Sequence, residues 1–150
     1  MKIAFACDHG GWPLRDTIID AVRRGRHEVL DLGPESAESS DYPDYAFAVA
    51  RAVTGGEADL GVLACGTGIG MAIAANKVRG AYAANAADCF SARMAREHNG
   101  ANILTLGGRT VGPEVARLLV DAFLGAAPSP QVRHQRRRKR IASAERECGS

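Results

Sequence analysis

The chain has 150 residues, 46% of them hydrophobic, and a formal net charge of +2 at pH 7. This length and composition fit one globular domain with its own core and leave little room for a second. No apolar run approaches the roughly 20 residues that cross a bilayer, and the first residues lack the long apolar stretch of a signal peptide. We therefore expect a soluble protein of the cytoplasm that does not act on membranes.

Five short apolar segments alternate with five segments in which apolar residues recur every three or four positions. The first group is typical of buried strands and covers residues 2–7, 28–32, 60–64, 80–84 and 102–106. The second is typical of helices and covers residues 12–24, 44–53, 71–77, 86–97 and 113–124. This alternation predicts an α/β fold: a Rossmann-like, doubly wound, five-stranded parallel sheet with strand order 2-1-3-4-5 and helices on both faces.

The end of the chain departs from this pattern. Residues 1–125 are predicted to form the α/β core, and residues 126–150 a linker and a basic C-terminal helix that projects and docks elsewhere. From residue 133 onward the chain holds seven of the 19 Lys and Arg residues but two of the 17 Asp and Glu residues. Arg133 and Arg137 are four positions apart, so both can clamp one phosphate. The other basic residues of this run are expected to face solvent: Arg136, Arg138, Lys139 and Arg140.

Two loops flank the point where the predicted strand order reverses, which is where ligands bind in such sheets. The first begins with Asp8 and His9, and the second reads CGTGIG over residues 65–70. Three glycines at alternate positions before a helix let backbone N–H groups approach an anion. The second loop lacks the Lys-Ser/Thr pair of a Walker motif and the spacing of a dinucleotide motif. We expect it to bind negative charge, with little support for a nucleotide.

Cysteine and histidine residues are the candidate reactive groups. The four cysteines show neither CxxC pairing nor the density of a disulfide-linked domain, which predicts free thiols and no metal or cofactor: Cys7, Cys65, Cys89 and Cys148. A helix N-terminus beside Cys65 favours the thiolate, which could act as base or nucleophile, whereas position alone makes a buried structural cysteine about equally probable. We assign Cys7 and Cys89 to packing. His98 is as plausible a helix-capping residue as a catalyst.

Six motifs, in order along nearly the whole chain, resemble the ribose-5-phosphate isomerase type B family, which also includes galactose-6-phosphate isomerases. They are DHGG at 8–11, DYPDYA at 41–46, CGTGIGMAIAANK at 65–77, AREHNGAN at 95–102, GGR at 107–109 and RHQRR at 133–137. The resemblance implies an aldose–ketose isomerase that interconverts D-ribose 5-phosphate and D-ribulose 5-phosphate through an enediolate. Members of a second branch carry a glutamate further along the helix, but residues 71–76 contain no acid, so the chain resembles the cysteine branch.

The resemblance also implies roles for individual residues. Cys65 would be the base, and Thr67 with the backbone of Gly66, Gly68 and Gly70 would stabilise the enediolate. Asp8 would move protons between the sugar oxygens, and His98 would open the furanose ring. The remaining residues divide into sugar-positioning side chains, Tyr42 and Asn99, and phosphate-binding side chains, His9, Arg109, Arg133 and Arg137. The C-terminal helix would reach across a homodimer or a larger assembly such as a tetramer, so that each site draws on two chains.

Three alternatives remain open at this stage. The same chemistry could act on another sugar phosphate: an allose 6-phosphate, a galactose 6-phosphate or a tetrose 4-phosphate. A flavodoxin-like module could bind a nucleotide without catalysis, although Cys65, Asp8 and His98 would then have no task. The basic run could bind nucleic acid, but the rest of the chain is mildly acidic and no aromatic residues interleave with the run, so we expect no nucleic-acid partner.

Overall fold

The computed structural model describes residues 1–148, with the side chain of Cys148 outside the description. The predicted free thiol of Cys148 therefore lies outside the described part of the chain, as do residues 149 and 150 of the predicted tail. The strands are β1 (Lys2–Cys7), β2 (Glu28–Asp31), β3 (Leu60–Cys65), β4 (Ala83–Asn85) and β5 (Ile103–Gly107). The helices are α1 (Arg15–Arg24), α2 (Tyr42–Thr54), α3 (Ile69–Ala75), α4 (Cys89–Glu97), α5 (Pro113–Leu124) and α6 (Val132–Cys148), with a short 3-10 helix at Trp12–Leu14.

All five strands pair in parallel, but their order is β2-β1-β3-β5-β4, so the predicted order 2-1-3-4-5 is wrong in its last two places. β5 is buried at all five positions and pairs with β3 on one side and β4 on the other. β4 has only three residues, none of them buried. A strand between two others is covered on both faces, so the longer, mostly apolar β5 takes the inner position and β4 the edge.

Helices cover both faces of the sheet, as an all-parallel sheet requires. On one face, side chains of α1 and α5 such as Ile18 and Phe123 pack on Phe5 and Leu104. On the other, α2 and α3 pack against β1, β3 and Ile103. Because side chains alternate along strands, Cys7 at the end of β1 belongs to the first layer and Cys65 at the end of β3 to the second.

The C-terminal helix α6 lies against the end of α4. The Arg138 guanidinium donates hydrogen bonds to the carbonyl oxygens of Glu97, His98 and Ser129. The Glu145 carboxylate accepts from the Gly80 N–H and the Tyr82 hydroxyl. Arg138 is therefore half-buried, and its predicted exposure to solvent is wrong, whereas Arg136, Lys139 and Arg140 are exposed. Among residues 1–148, no helix is both long and apolar enough to cross a membrane.

Loops that follow β1, β3 and β5 pack backbone against backbone at the carboxyl edge of the sheet. A Cβ on Gly11 would collide with the carbonyl group of Ala64, and one on Gly108 with the carbonyl oxygen of Gly10. The Gly108 N–H donates to the carbonyl oxygen of Cys65 at 2.7 Å. Only glycine at these two positions allows the three loops to approach this closely.

We predict that Gly11→Ala lowers the free energy of unfolding by about 1–3 kcal/mol, because the added methyl group forces two backbone segments apart. Urea denaturation followed by circular dichroism measures this change. Gly112→Ala is the matched control, since a Cβ there meets nothing within 4 Å and the backbone φ is −80°. A Gly11→Ala protein as stable as the Gly112→Ala protein would contradict the close packing of these loops.

Candidate active site

The carboxyl edge of the sheet gathers nine of the thirteen predicted site residues. Asp8 and His9 follow β1, residues 65–70 follow β3, and Arg109 follows β5. Tyr42 begins α2, and its ring lies against the glycine loop, because a Cβ on Gly70 would sit 2.8 Å from a ring carbon. The Tyr42 side chain is 39% exposed, so it closes one side of the loop and still faces solvent.

The sulfur of Cys65 points toward the glycine loop. Its Sγ accepts a hydrogen bond from the Gly68 N–H at 3.1 Å, and the residue is 5% exposed. Gly68 is the N-cap of α3 and has φ +79°, a left-handed conformation that glycine adopts without strain. Because the chain turns into α3 there, the sulfur lies beside the first N–H groups of a helix, which have no intrahelical partners. These N–H groups can donate to an anionic oxygen that binds at the loop.

Two residues that the sequence did not single out hold this loop. The Asn85 amide donates to the carbonyl oxygen of Thr67 at 3.2 Å and to both oxygens of Thr105. The buried Thr105 hydroxyl donates to the carbonyl oxygen of Gly68 at 2.8 Å. A polar residue inside the otherwise apolar NILTL strand is the feature that could have drawn attention to Thr105.

Asp8 and Arg109 both lie close to Gly66, in the glycine loop. Asp8 is 5% exposed, and its Oδ1 accepts from the Gly11 N–H at 3.0 Å, whereas Oδ2 has no bonded partner among residues 1–148. The Arg109 guanidinium lies over Gly66, within 3.3 Å of where a Cβ would stand. Within the described chain Arg109 has no carboxylate partner. The carboxylate and the unpaired guanidinium thus both lie near the start of the glycine loop. The His9 Nδ1 accepts from the Ser40 N–H at 3.4 Å.

The other predicted site residues lie elsewhere in the chain. His98 and Asn99 follow α4, which runs from the carboxyl edge of the sheet back to the amino edge, as every crossover helix between parallel strands does. Asn102 marks that edge, because its carbonyl oxygen accepts from the Gly61 N–H near the start of β3. A six-residue strand spans roughly 17 Å, so Cys65 and His98 of one chain are separated by about the height of the sheet.

Around His98 a second cluster forms with α6. The His98 and His134 rings are stacked, with centroids 4.1 Å apart and an interplanar angle of 10°. Arg133 donates from Nε to the His134 Nε2 at 3.2 Å. Arg133 and Arg137 are exposed, next to this stack on α6. His134 was not among the predicted site residues, although it lies between the two predicted phosphate-binding arginines in RHQRR.

Comparison with known proteins gives the family. The sequence model of the Ribose/Galactose Isomerase family matches residues 3–141. The chain belongs to this family. It is 47% identical over 144 residues to ribose-5-phosphate isomerase B of Escherichia coli, covering 96% of each chain. The family and fold class predicted from the sequence are thereby confirmed.

Solved structures of the family superpose on nearly the whole chain. The structure of type B ribose 5-phosphate isomerase from Trypanosoma cruzi has a TM-score of 0.95 and 42% identity, covering 98% of this chain and 99% of that one. Ribose-5-phosphate isomerase B from Mycoplasma genitalium, solved with bound ribulose-5-phosphate, has a TM-score of 0.91 and 41% identity, covering 97% of both chains.

Cys7, at the end of β1, has different surroundings from Cys65. Cys7 is fully buried between the sheet and the layer of α1 and α5. Burial raises the pKa of its thiol to about 12, although the nearby Arg15 guanidinium acts in the opposite direction. Cys7 therefore stays protonated at neutral pH and has no part in base chemistry, in line with its predicted packing role. Cys89 is exposed at the start of α4, so its predicted packing role is wrong.

The raised pKa of Cys7 makes stability depend on pH in the alkaline range. The unfolded chain loses this proton near pH 9 and the folded chain near pH 12, so the contribution is complete below pH 9 and decreases above it. We predict that wild-type protein loses about 2 kcal/mol more unfolding free energy than Cys7→Ala between pH 8 and pH 11. Urea titrations at both pH values measure this difference, and parallel losses in the two proteins would refute it.

Proposed function

We propose that this protein is an aldose–ketose isomerase that interconverts D-ribose 5-phosphate and D-ribulose 5-phosphate, with Cys65 as the base. The placement of the Cys65 sulfur carries the proposal: it accepts the Gly68 N–H inside a glycine loop that also faces Asp8 and Arg109. The bound ribulose-5-phosphate of the Mycoplasma genitalium relative supports a pentose phosphate as substrate.

The chemistry begins with the open-chain aldose. The Cys65 thiolate takes the proton from C2, the C2–H electrons form a C1–C2 double bond, and the carbonyl electrons move to O1. The resulting enediolate carries negative charge where the ground-state sugar has none, so donors that meet that charge lower the barrier. We assign this role to Thr67 and to the N–H groups of residues 66–70, of which those of Gly68 and Ile69 donate to the Cys65 Sγ and the Thr67 Oγ1 in the absence of substrate. One such donor contributes about 2.7–4 kcal/mol.

Proton movement between oxygens completes the reaction. Asp8 is suited to carry a proton from O2 to O1, because the Gly11 N–H fixes Oδ1 whereas no group of residues 1–148 forms a hydrogen bond with Oδ2. The thiol then returns its proton to C1, which gives the ketose and regenerates the thiolate. Protons and electrons balance without a cofactor, so the step is an internal redox exchange between C1 and C2.

We propose a homodimer, which is supported by the division of the predicted site residues between two edges of the sheet. Cys65, Asp8, His9, Tyr42 and Arg109 lie at the carboxyl edge, whereas His98, Asn99, Arg133 and Arg137 lie near the amino edge. One chain therefore cannot bring a ring-opening histidine to its own thiolate. A second copy that lays its α4–α6 cluster on the carboxyl edge supplies His98 and two further phosphate-binding cations together.

The basic tail gives less support to a nucleic-acid partner than its sequence suggests. Arg138 is engaged in intramolecular hydrogen bonds to three backbone carbonyl oxygens. In the proposed dimer Arg133 and Arg137 bind the sugar phosphate, which leaves three exposed cations of the run: Arg136, Lys139 and Arg140.

We predict that Cys65→Ser lowers kcat for ribose 5-phosphate by roughly 100- to 10,000-fold, because a serine hydroxyl is not ionised at neutral pH. Substrate binding, measured by calorimetry, is expected to stay within a few-fold of wild type. Cys89→Ser, which changes an exposed cysteine outside the loop, is the control and is expected to retain full activity. An active Cys65→Ser enzyme would remove the base assignment, and faster wild-type turnover of a four- or six-carbon aldose phosphate would change the substrate.

The shared site makes a second prediction. Cys65→Ser and His98→Asn proteins are each expected to be nearly inactive on ribose 5-phosphate. Unfolding and refolding them together at equal concentration should restore about a quarter of the wild-type activity, because half of the dimers are mixed and each mixed dimer has one intact site. If each site used its own His98, both sites of a mixed dimer would be defective and no activity would return.

A further inference from the structure

The stacked imidazoles of His98 and His134 form a pair that the proposed reaction uses only in part. His98 is half-buried and follows the last turn of α4, whereas His134 is 4% exposed in the first turn of α6. Their rings are nearly parallel at 4.1 Å, so one face of the His98 ring is covered by His134. This contact restricts the rotation of the His98 side chain, because any tilt of that ring meets its neighbour.

The surroundings of His134 favour its neutral form. Burial lowers its pKa, and the positive groups that face it lower the pKa further: His98 from the end of α4, and Arg133, Arg137 and Arg138 from α6. Its Nε2 accepts the Arg133 Nε–H, which places the proton of the neutral ring on Nδ1. A neutral His134 ring adds no positive charge beside the His98 ring that it stacks on.

We propose that His134 is a positioning residue for ring opening, holding the His98 imidazole by stacking and the Arg133 guanidinium by its hydrogen bond. This inference rests on the proposed function, in which both groups reach the site of a partner chain. With Nε engaged by His134, the two Nη groups of Arg133 have no bonded partner among residues 1–148 and can bind phosphate oxygens. One buried side chain thus orients the ring-opening acid and one phosphate cation relative to each other.

Ring opening is the step that depends on this orientation. The C1–O4 bond of the furanose breaks with its electrons on O4, which takes a proton from His98. The O1 hydroxyl gives its proton to the Asp8 carboxylate as the C1=O1 bond forms, so the sugar's proton count is unchanged. The acid must lie within hydrogen-bond distance of O4 for the transfer to occur. The later proton transfer from carbon uses Cys65 and does not involve His98.

The difference between the two steps allows a specific test. Ribulose 5-phosphate has no ring, because its O5 carries the phosphate, so enolisation by the enzyme exchanges its C1 proton for deuterium in D₂O without ring chemistry. We expect His134→Leu to lower kcat for ribose 5-phosphate at least tenfold while changing the rate of deuterium uptake at saturating ribulose 5-phosphate less than threefold. Proton NMR measures both rates on the same protein.

Two further variants separate stacking from packing. His134→Phe keeps a flat ring against His98 but lacks the acceptor, so it should retain kcat within about threefold of wild type and raise KM for ribose 5-phosphate several-fold. His134→Met fills the space without a ring and should behave like His134→Leu. If neither aliphatic variant folds, His134→Phe decides alone: retained turnover with a raised KM supports the inference, and lost turnover contradicts it.

Other outcomes identify which proposal fails. Equal losses of conversion and deuterium uptake in His134→Leu would mean that the residue only supports the fold, and unchanged conversion would mean that the stack has no role. Either result overturns the inference and leaves the isomerase proposal intact. A wild-type protein that neither converts ribose 5-phosphate nor takes up deuterium would instead overturn the proposed function, and this inference with it.

Discussion

Backbone contact among three loops is the constraint on which the candidate site depends. The Asp8 N–H donates to the carbonyl oxygen of Ala64 at 3.2 Å, and the N–H groups of Gly108 and Arg109 donate to the carbonyl oxygens of Cys65 and Gly66 at 2.7 and 3.0 Å. Loops tied at the main chain cannot move separately, so the sulfur, the carboxylate and the guanidinium keep their relative places. Preorganised groups of this kind lower a barrier without reorganising during the reaction.

Much of the fold could be predicted because the strands are short apolar runs and turn residues end them. Helix α5 has the predicted bounds, and β1 matches residues 2–7. The order of β4 and β5 could not be predicted in the same way, since it depends on which strand can be covered on both faces. That choice is made by tertiary packing: Ala83–Asn85 is short and partly exposed, whereas Ile103–Gly107 is buried throughout.

The hydrophobic pattern of the sequence also could not predict which face of α6 packs against the rest of the chain. The inward residues recur at helical spacing, but three of them are polar or charged: His134, Arg138 and Glu145. Apolar periodicity identifies a helix face only when that face is apolar. Here the partners are exposed carbonyl groups at the end of α4 and the Gly80–Tyr82 turn, which the sequence of α6 alone does not indicate.

The same polar docking has a consequence for the proposed dimer. Arg138 ties α6 to the carbonyl oxygens that end α4, and His134 stacks on the histidine that follows it. His98 and the proposed phosphate-binding arginines are therefore parts of one unit, although they lie 35 or more positions apart in the sequence. In the proposed dimer, a partner chain would receive these groups in a fixed relation, so their placement on a sugar phosphate would depend on one docking event instead of two.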